Sequence, residues 1–276
     1  TVTATVPVGN DPVGVAITPD GAFVYVTNAF NNTVSVIDTG TDTVSTTIPV
    51  GTTPSGVAIT PDGAFVYVTN AFNNTVSVID TGTDTVSTTI PVGDDPRGVA
   101  ITPDSSHAYV TISADNSVSV IDTGTNTVST TIPVVGDPRG VAITPDGSRA
   151  YVTNDDGNAV SVIDTGTDTV VGAPIPVGDD PRGVAITPDS SRAYVANSDS
   201  NTVSVIDTGT DTVIETVPVG NSPRGVAITP DGSRAYVTNR DGNAVSVIAI
   251  GKCAGSLCFD FGSLTGSGSG AGSAFS

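Results

Sequence analysis

A chain of 276 residues can bury a sizeable core without disulfides or structural metals to hold it. Its 28 acidic residues against 9 Lys and Arg and one His give a net charge of −19, which repels phosphate backbones and anionic lipid and excludes nucleic acid as a partner. No apolar run approaches the roughly 18–20 residues of a membrane-spanning helix, so membrane insertion is excluded as well.

The chain opens on TVTATVPVG, a near copy of TVSTTIPVG at 43–51, which closes a repeating unit. It starts at Thr1 and contains no Met, so either a leader was removed or the chain is a fragment of a longer product; the removed leader is the favoured expectation and points to export. From there the motif GVAITPD recurs at Gly14, Gly56, Gly98, Gly140, Gly183 and Gly225, spaced 42 or 43 residues apart. Residues 14–51 and 56–93 are identical.

Within a unit the order is GVAIT, a TPDG turn, AFVYVT, an Asn- or Asp-rich loop, TVSVID, a DTGTDT turn and TVSTTIPV. Val, Ile, Thr and Tyr favour pleated surfaces, and Pro, Asp, Asn and Gly stand where tight turns want them. Helical periodicity is missing throughout, so the chain is all-β. Pro7, Pro49, Pro91, Pro133, Pro176 and Pro218 lie near the end of each fourth strand. Proline cannot donate to a ladder, so that strand is the outer edge and GVAIT the crowded centre. The extra residue of the fourth unit falls in TVVGAPIPV, where a bulge at 172–174 would absorb it.

Repeated four-stranded antiparallel units of this length predict a six-bladed β-propeller over residues 1–250. The sixth unit ends at AVSVIAIG without a fourth strand. Residues 1–9 are expected to supply it beside Ala244–Ile248, closing the ring. Residues 251–276 form a separate Cys-containing, Gly/Ser-rich tail.

The combination GVAITPDG…YVTN…VSVIDTGT(D/N)TV…TIPVG resembles the YVTN β-propeller repeats of archaeal and bacterial surface-layer-like and secreted proteins. The resemblance implies a propeller fold and an extracellular or cell-surface setting, and it carries no catalytic residues to transfer. Members of that family often have seven blades, and six here is a departure.

Two faces of the propeller differ in charge. Asp20, Asp62, Asp104, Asp146, Asp189 and Asp231, with most Asp of the VID and TGTD turns, fall on one face. They either offer oxygen ligands to Ca²⁺ or cap their own turns; no twelve-residue Ca²⁺ loop is present. The other face carries Arg97, Arg139, Arg182 and Arg224, each in PRG. They are a candidate clamp for a small anion or glycan, or they pair with neighbouring Asp. The only His is His107, at a strand start. With one His and no Cys inside the repeats, nucleophilic triads and multi-His metal sites cannot be assembled, so no catalytic residue or cofactor is assigned and the protein reads as a non-enzyme.

Cys253 and Cys258 can form a local disulfide in an oxidising compartment; reduced thiols and a two-ligand metal site are the alternatives. SLCFDF alternates like a half-buried strand, and GSGSGAGSA reads as a linker. Leu257, Phe259, Phe261, Leu264 and Phe275 mark the tail as a candidate assembly element, docking on its own propeller or adding a strand to a neighbour. Asn31 and Asn73, in NNT, are candidate glycosylation sites. The expectation is an extracellular structural or adhesion protein that associates with copies of itself or with cell-envelope components. The alternative is a secreted binding module using the Arg-bearing face.

Overall fold

The computed structural model describes residues 2–251. Blade one contains β1 (Pro12–Ile17), β2 (Phe23–Asn28), β3 (Thr33–Asp38) and β4 (Thr43–Pro49). Blade two contains β5 (Pro54–Ile59), β6 (Phe65–Asn70), β7 (Thr75–Asp80) and β8 (Thr85–Pro91). Blade three contains β9 (Pro96–Ile101), β10 (His107–Ile112), β11 (Ser117–Asp122) and β12 (Thr127–Pro133). Blade four contains β13 (Pro138–Ile143), β14 (Arg149–Asn154), β15 (Ala159–Asp164) and β16 (Thr169–Pro176). Blade five contains β17 (Pro181–Ile186), β18 (Arg192–Asn197), β19 (Thr202–Asp207) and β20 (Thr212–Pro218). Blade six contains β21 (Pro223–Ile228), β22 (Arg234–Asn239) and β23 (Ala244–Ala249).

Each blade is an antiparallel sheet in sequence order, and no helix occurs among the described residues. The innermost strands β1, β5, β9, β13, β17 and β21 lie side by side, and the Pro-terminated strands lie outermost. In blade four the register of β15 on β16 slips between Val160 and Val162, opposite Ile175 and Val171, and Gly172 takes a φ of +67°. The bulge thus falls where the extra residue was expected.

The core lies between blades. Tyr25, Val34, Val36 and Ile48 of blade one pack on Val66, Val68 and Ile79 of blade two, and the same layer recurs from blade to blade. Blades one to five thus have a forward face of Tyr, two Val and an outer-strand Ile or Val, and the backward face is Val and Ile in blade two and Ala, Val and Ile from blade three on.

Ring closure by residues 1–9 is corrected: blade six is a three-stranded sheet, and residues 2–9 form no strand. The Gly9 N–H donates to Asn28 Oδ1 at 3.0 Å, and Pro7–Asn10 sit against Asn31, Thr33, Ser35, Val44 and Thr47. Pro49, Val50 and Gly51 line the equivalent groove on blade two with Asn73, Thr75, Ser77, Val86 and Thr89. Residues 7–10 thus occupy the exit of an outer strand belonging to a blade that would precede blade one. The third strand they need, β23, is not brought to them, because the end blades do not pack on each other. Val15 and Ile17 are 66% and 61% exposed at one end, and Val245 and Val247 are each 54% exposed at the other.

Candidate functional site

The repeated YVTN residues serve the contacts between blades. Tyr25, Tyr67 and Tyr151 donate to Asp84, Asn126 and Asp211 of the following blade at 3.1, 2.8 and 2.7 Å, and Tyr109 donates to Asp168. Burial, with the negative charge of Asp122 adding to it, pushes the Tyr67 phenol up to about 12. Thr27, Thr69, Thr111 and Thr153 donate across to the inner-strand carbonyls of Ser55, Arg97, Arg139 and Arg182 at 2.6–2.8 Å. Asn28 and Asn70 donate within their own blades, to Thr33 and Ser35 and to Thr75 and Ser77. Sequence reasoning missed these roles. Their one signal is a constant offset of 59 or 60 residues between each Tyr and its acceptor.

Of the Asp residues considered for Ca²⁺, those of the TPD and VID turns are engaged in their own turns, and Asp84, Asp168 and Asp211 of the TGTD turns take the tyrosine of the preceding blade. Asp20 accepts from the Thr18 hydroxyl at 2.6 Å and the Ala22 N–H at 3.0 Å, and Asp62, Asp104, Asp146 and Asp189 repeat the pattern. These bonds hold the carboxyls below their ordinary range, Asp104 and Asp189 at about 2, with the Thr hydroxyl as the largest cause. Asp38 accepts from the Gly40 and Thr41 N–H groups at 2.8 and 2.9 Å. Among the described residues no three acidic, His or Cys side chains converge as a metal site would require.

On the opposite face, three of the four PRG arginines are ion-paired. Arg97 meets Asp95 at 2.7 Å. Arg139 meets Asp137 and, at 3.3 Å, Asp155; Arg182 meets Asp180 and, at 3.2 Å, the same Asp155. Asp155, in the β14–β15 loop, bridges two blades. Burial and the neighbouring Asp180 carboxylate push its carboxyl up to about 7. Arg224 differs. Ser222 stands where the other three PRG units carry Asp, Arg224 makes no ion pair among the described residues, and its pKa is lowered by partial burial and by the charges of Arg240 and Arg182.

His107 opens β10, half-buried, with Nδ1 2.8 Å from the Ser106 hydroxyl. Asn31 and Asn73 are exposed, and their amide oxygens accept from the Asn10 and Thr52 N–H groups. Cys253, Cys258, Leu257, Phe259, Phe261, Leu264 and Phe275 lie outside the described residues. Two side chains the sequence reading passed over are the most exposed aromatics among the described residues: Phe30 and Phe72, 77% and 80% exposed in the β2–β3 and β6–β7 loops.

The fold defines the class, an all-β propeller of six blades. Residues 10–114 match a model of YNCE-like β-propellers, and residues 183–265 match a model of the seven-bladed lactonase β-propellers. The chain has no match among curated proteins. Among solved structures it is similar to Kuenenia stuttgartiensis hydrazine synthase, with 25% identity and a TM-score of 0.63, over 91% of this chain and 99% of that one. A Desulfotomaculum acetoxidans protein of unknown function is 22% identical with a TM-score of 0.78, over 88% of this chain and 84% of that one. A candidate 6-phosphogluconolactonase from Bacteroides uniformis is 19% identical with a TM-score of 0.77, over 90% of this chain and 82% of that one.

Proposed function

We propose that the protein is a non-enzymatic, YVTN-type structural or adhesion protein of the cell surface or extracellular space that associates with copies of itself. The carrying observation is where its apolar surface lies. Most Tyr, Thr and Asn of the motif are used in packing, and the two most exposed aromatics among the described residues, Phe30 and Phe72, stand at the same loop position of blades one and two. Two apolar loop tips standing open on neighbouring blades suit assembly better than a single enclosed ligand. In this reading the tail joins the contacts, cell-envelope components are the other partners, and Asn31 and Asn73 carry glycans. Electron microscopy and light scattering of the full chain test it. Ordered layers or filaments that disappear in Phe30→Ser/Phe72→Ser, and weaken in a chain ending at Gly251, are expected. A monomer at every concentration overturns it.

A second reading rests on Arg224. An exposed guanidinium pressed by Arg240 and Arg182, with no carboxylate of its own, suits a small anion or an acidic glycan. Calorimetric titration with a sugar phosphate should show binding that Arg224→Ala abolishes. Hydrolysis of 6-phosphogluconolactone by the pure chain would overturn the non-enzymatic part of the proposal.

A further inference from the structure

Phe30 and Phe72 stand beside two grooves that the packing of the blades leaves open. The groove on blade two holds about 360 Å³ between the exit of β4 and the side chains of Asn73, Thr75, Ser77 and Thr89. Its counterpart on blade one holds about 480 Å³ between residues 7–10 and Asn31, Thr33, Ser35 and Thr47. Both volumes fall within the roughly 300–1,000 Å³ of small-molecule sites. Each aromatic is tied down at the rim. The Phe72 N–H donates to Thr52 O and the Phe30 N–H to Asn10 O, both at 3.3 Å.

The polar groups of the grooves are only half used. Asn70 Nδ2 donates to Thr75 Oγ1 at 3.1 Å and to Ser77 Oγ at 2.9 Å, so both hydroxyls accept and keep their own protons to give. Asn28 does the same to Thr33 and Ser35 on blade one. None of these four hydroxyls donates to a group among the described residues. Ser35 and Ser77 are only 2% exposed, and a hydroxyl proton at that depth needs an acceptor. No ionisable side chain lines either groove, so the acceptor that suits them is neutral. The rim needs the opposite, a face without polar atoms. A pyranose ring offers both, hydroxyls on its edge and C–H bonds whose positive hydrogens meet the negative face of an aromatic ring.

We propose that the two rim grooves, with Phe30 and Phe72 at their edges, bind a neutral polysaccharide, one sugar segment to each. The pair is confined to blades one and two, since Ala114, Asp156, Asp199 and Asp241 hold the Phe position in blades three to six. Residues 14–51 and 56–93 are identical, so the two sites present the same chemistry one repeat apart. Such a pair multiplies the affinity for a polymer of one repeating sugar and does nothing for a single small molecule. The net charge of −19 turns acidic polymers away. A protein surface laid on the loop tips covers the phenylalanines without reaching the recessed Ser35 and Ser77. The inference rests on the adhesion reading above and names the chemistry of its cell-envelope partner.

Affinity electrophoresis tests it, with the full chain produced without N-linked glycans, which would occlude the grooves at Asn31 and Asn73. The gels are cast with a glucan, a mannan, a galactan or polygalacturonate. Expected is retardation by at least one neutral polymer and none by polygalacturonate. Phe30→Ser and Phe72→Ser should each weaken retardation more than tenfold, because one remaining site has no avidity. By calorimetry each should lower the number of matching trisaccharides bound from two to one. Thr47→Val/Thr89→Val keeps both loop tips, so it should weaken retardation at least fivefold and leave the light scattering of self-association unchanged. A chain that stays monomeric yet is retarded supports the inference while overturning self-association. Retardation by no neutral polymer, equal retardation by polygalacturonate, or retardation unaltered in Phe30→Ser/Phe72→Ser overturns the inference.

Discussion

Each letter of YVTN has a physical task, and the open end of the propeller shows what each is worth. Tyr109 is fully buried and donates to Asp168 of the next blade, while Tyr236 faces no following blade, is 39% exposed, and its phenol has no hydrogen-bond partner among the described residues. Tyr109→Phe leaves the half-buried Asp168 carboxylate short of a donor and should cost about 1 kcal/mol in chemical denaturation. Tyr236→Phe should cost close to nothing, and an equal loss at both sites would mean the phenol matters through its ring alone. Titration separates two kinds of carboxyl. Asp104 and Asp189 titrate at about 2, below the ordinary 3.8, so their contribution is present above 3.8 and is lost as pH falls toward 2. Asp155 runs the other way. Its folded value near 7 exceeds 3.8, so its contribution is present at low pH, declines as pH rises from 3.8, and is gone above about 7. The melting temperature should therefore peak at mildly acid pH, and Asp155→Asn should flatten the decline between about pH 4 and 7. An unchanged profile in that variant would place the slope elsewhere.

At the scale of the strand, the four segments GVAIT, AFVYVT, TVSVID and TVSTTIPV emerge as β1–β4 and their repeats, and Pro49 and its equivalents end outer strands. These were legible because strand propensity, turn residues and the missing proline N–H act locally. The TPD and VID turns of the candidate metal face were legible for the same reason, since each Asp finds its partners within three residues, whereas Asp84, Asp168 and Asp211 of the TGTD turns accept from a tyrosine of the preceding blade. The bridging of Arg139 and Arg182 by Asp155 was not, since it joins a loop to two inner strands of different blades. GVAIT shows the limit of a local reading. Its glycine looks like a small residue in a crowded centre, but the crowding comes from the next blade, where a Cβ on Gly140 would stand 2.4 Å from Arg182 O. Gly140→Ala must push an inner strand aside and should cost about 1–3 kcal/mol. Gly225→Ala, with only the Thr238 hydroxyl 3.2 Å away, should cost much less. Equal losses would show that the inner strand of blade six is packed after all.

For the whole molecule, the repeat period states how many units there are but not the angle between them. That angle is set by how the Tyr, Val and Ile layers interdigitate, which no spacing records, and closure of the ring was the part of the fold that sequence reasoning misjudged. The consequence is a row in which each blade is stabilised only by its neighbours, so stability behaves as a sum of nearest-neighbour terms. Interior blades have two such terms and end blades one. Blade six has the further handicap of an unpaired β23 edge, and blade one exposes Val15 and Ile17. Native-state hydrogen exchange should therefore be graded. Amides of β14 and β15, whose Tyr151, Val152, Val160 and Ile163 are covered from both sides, should exchange slowest. Those of β22 and β23 should exchange fastest, and β1 should follow. Destabilising the middle with Val152→Ala should lower protection in blades three to five together, whereas Val247→Ala should leave them unchanged. Uniform protection across all six blades would mean that the ends support each other, and the row would then have to be treated as a closed ring.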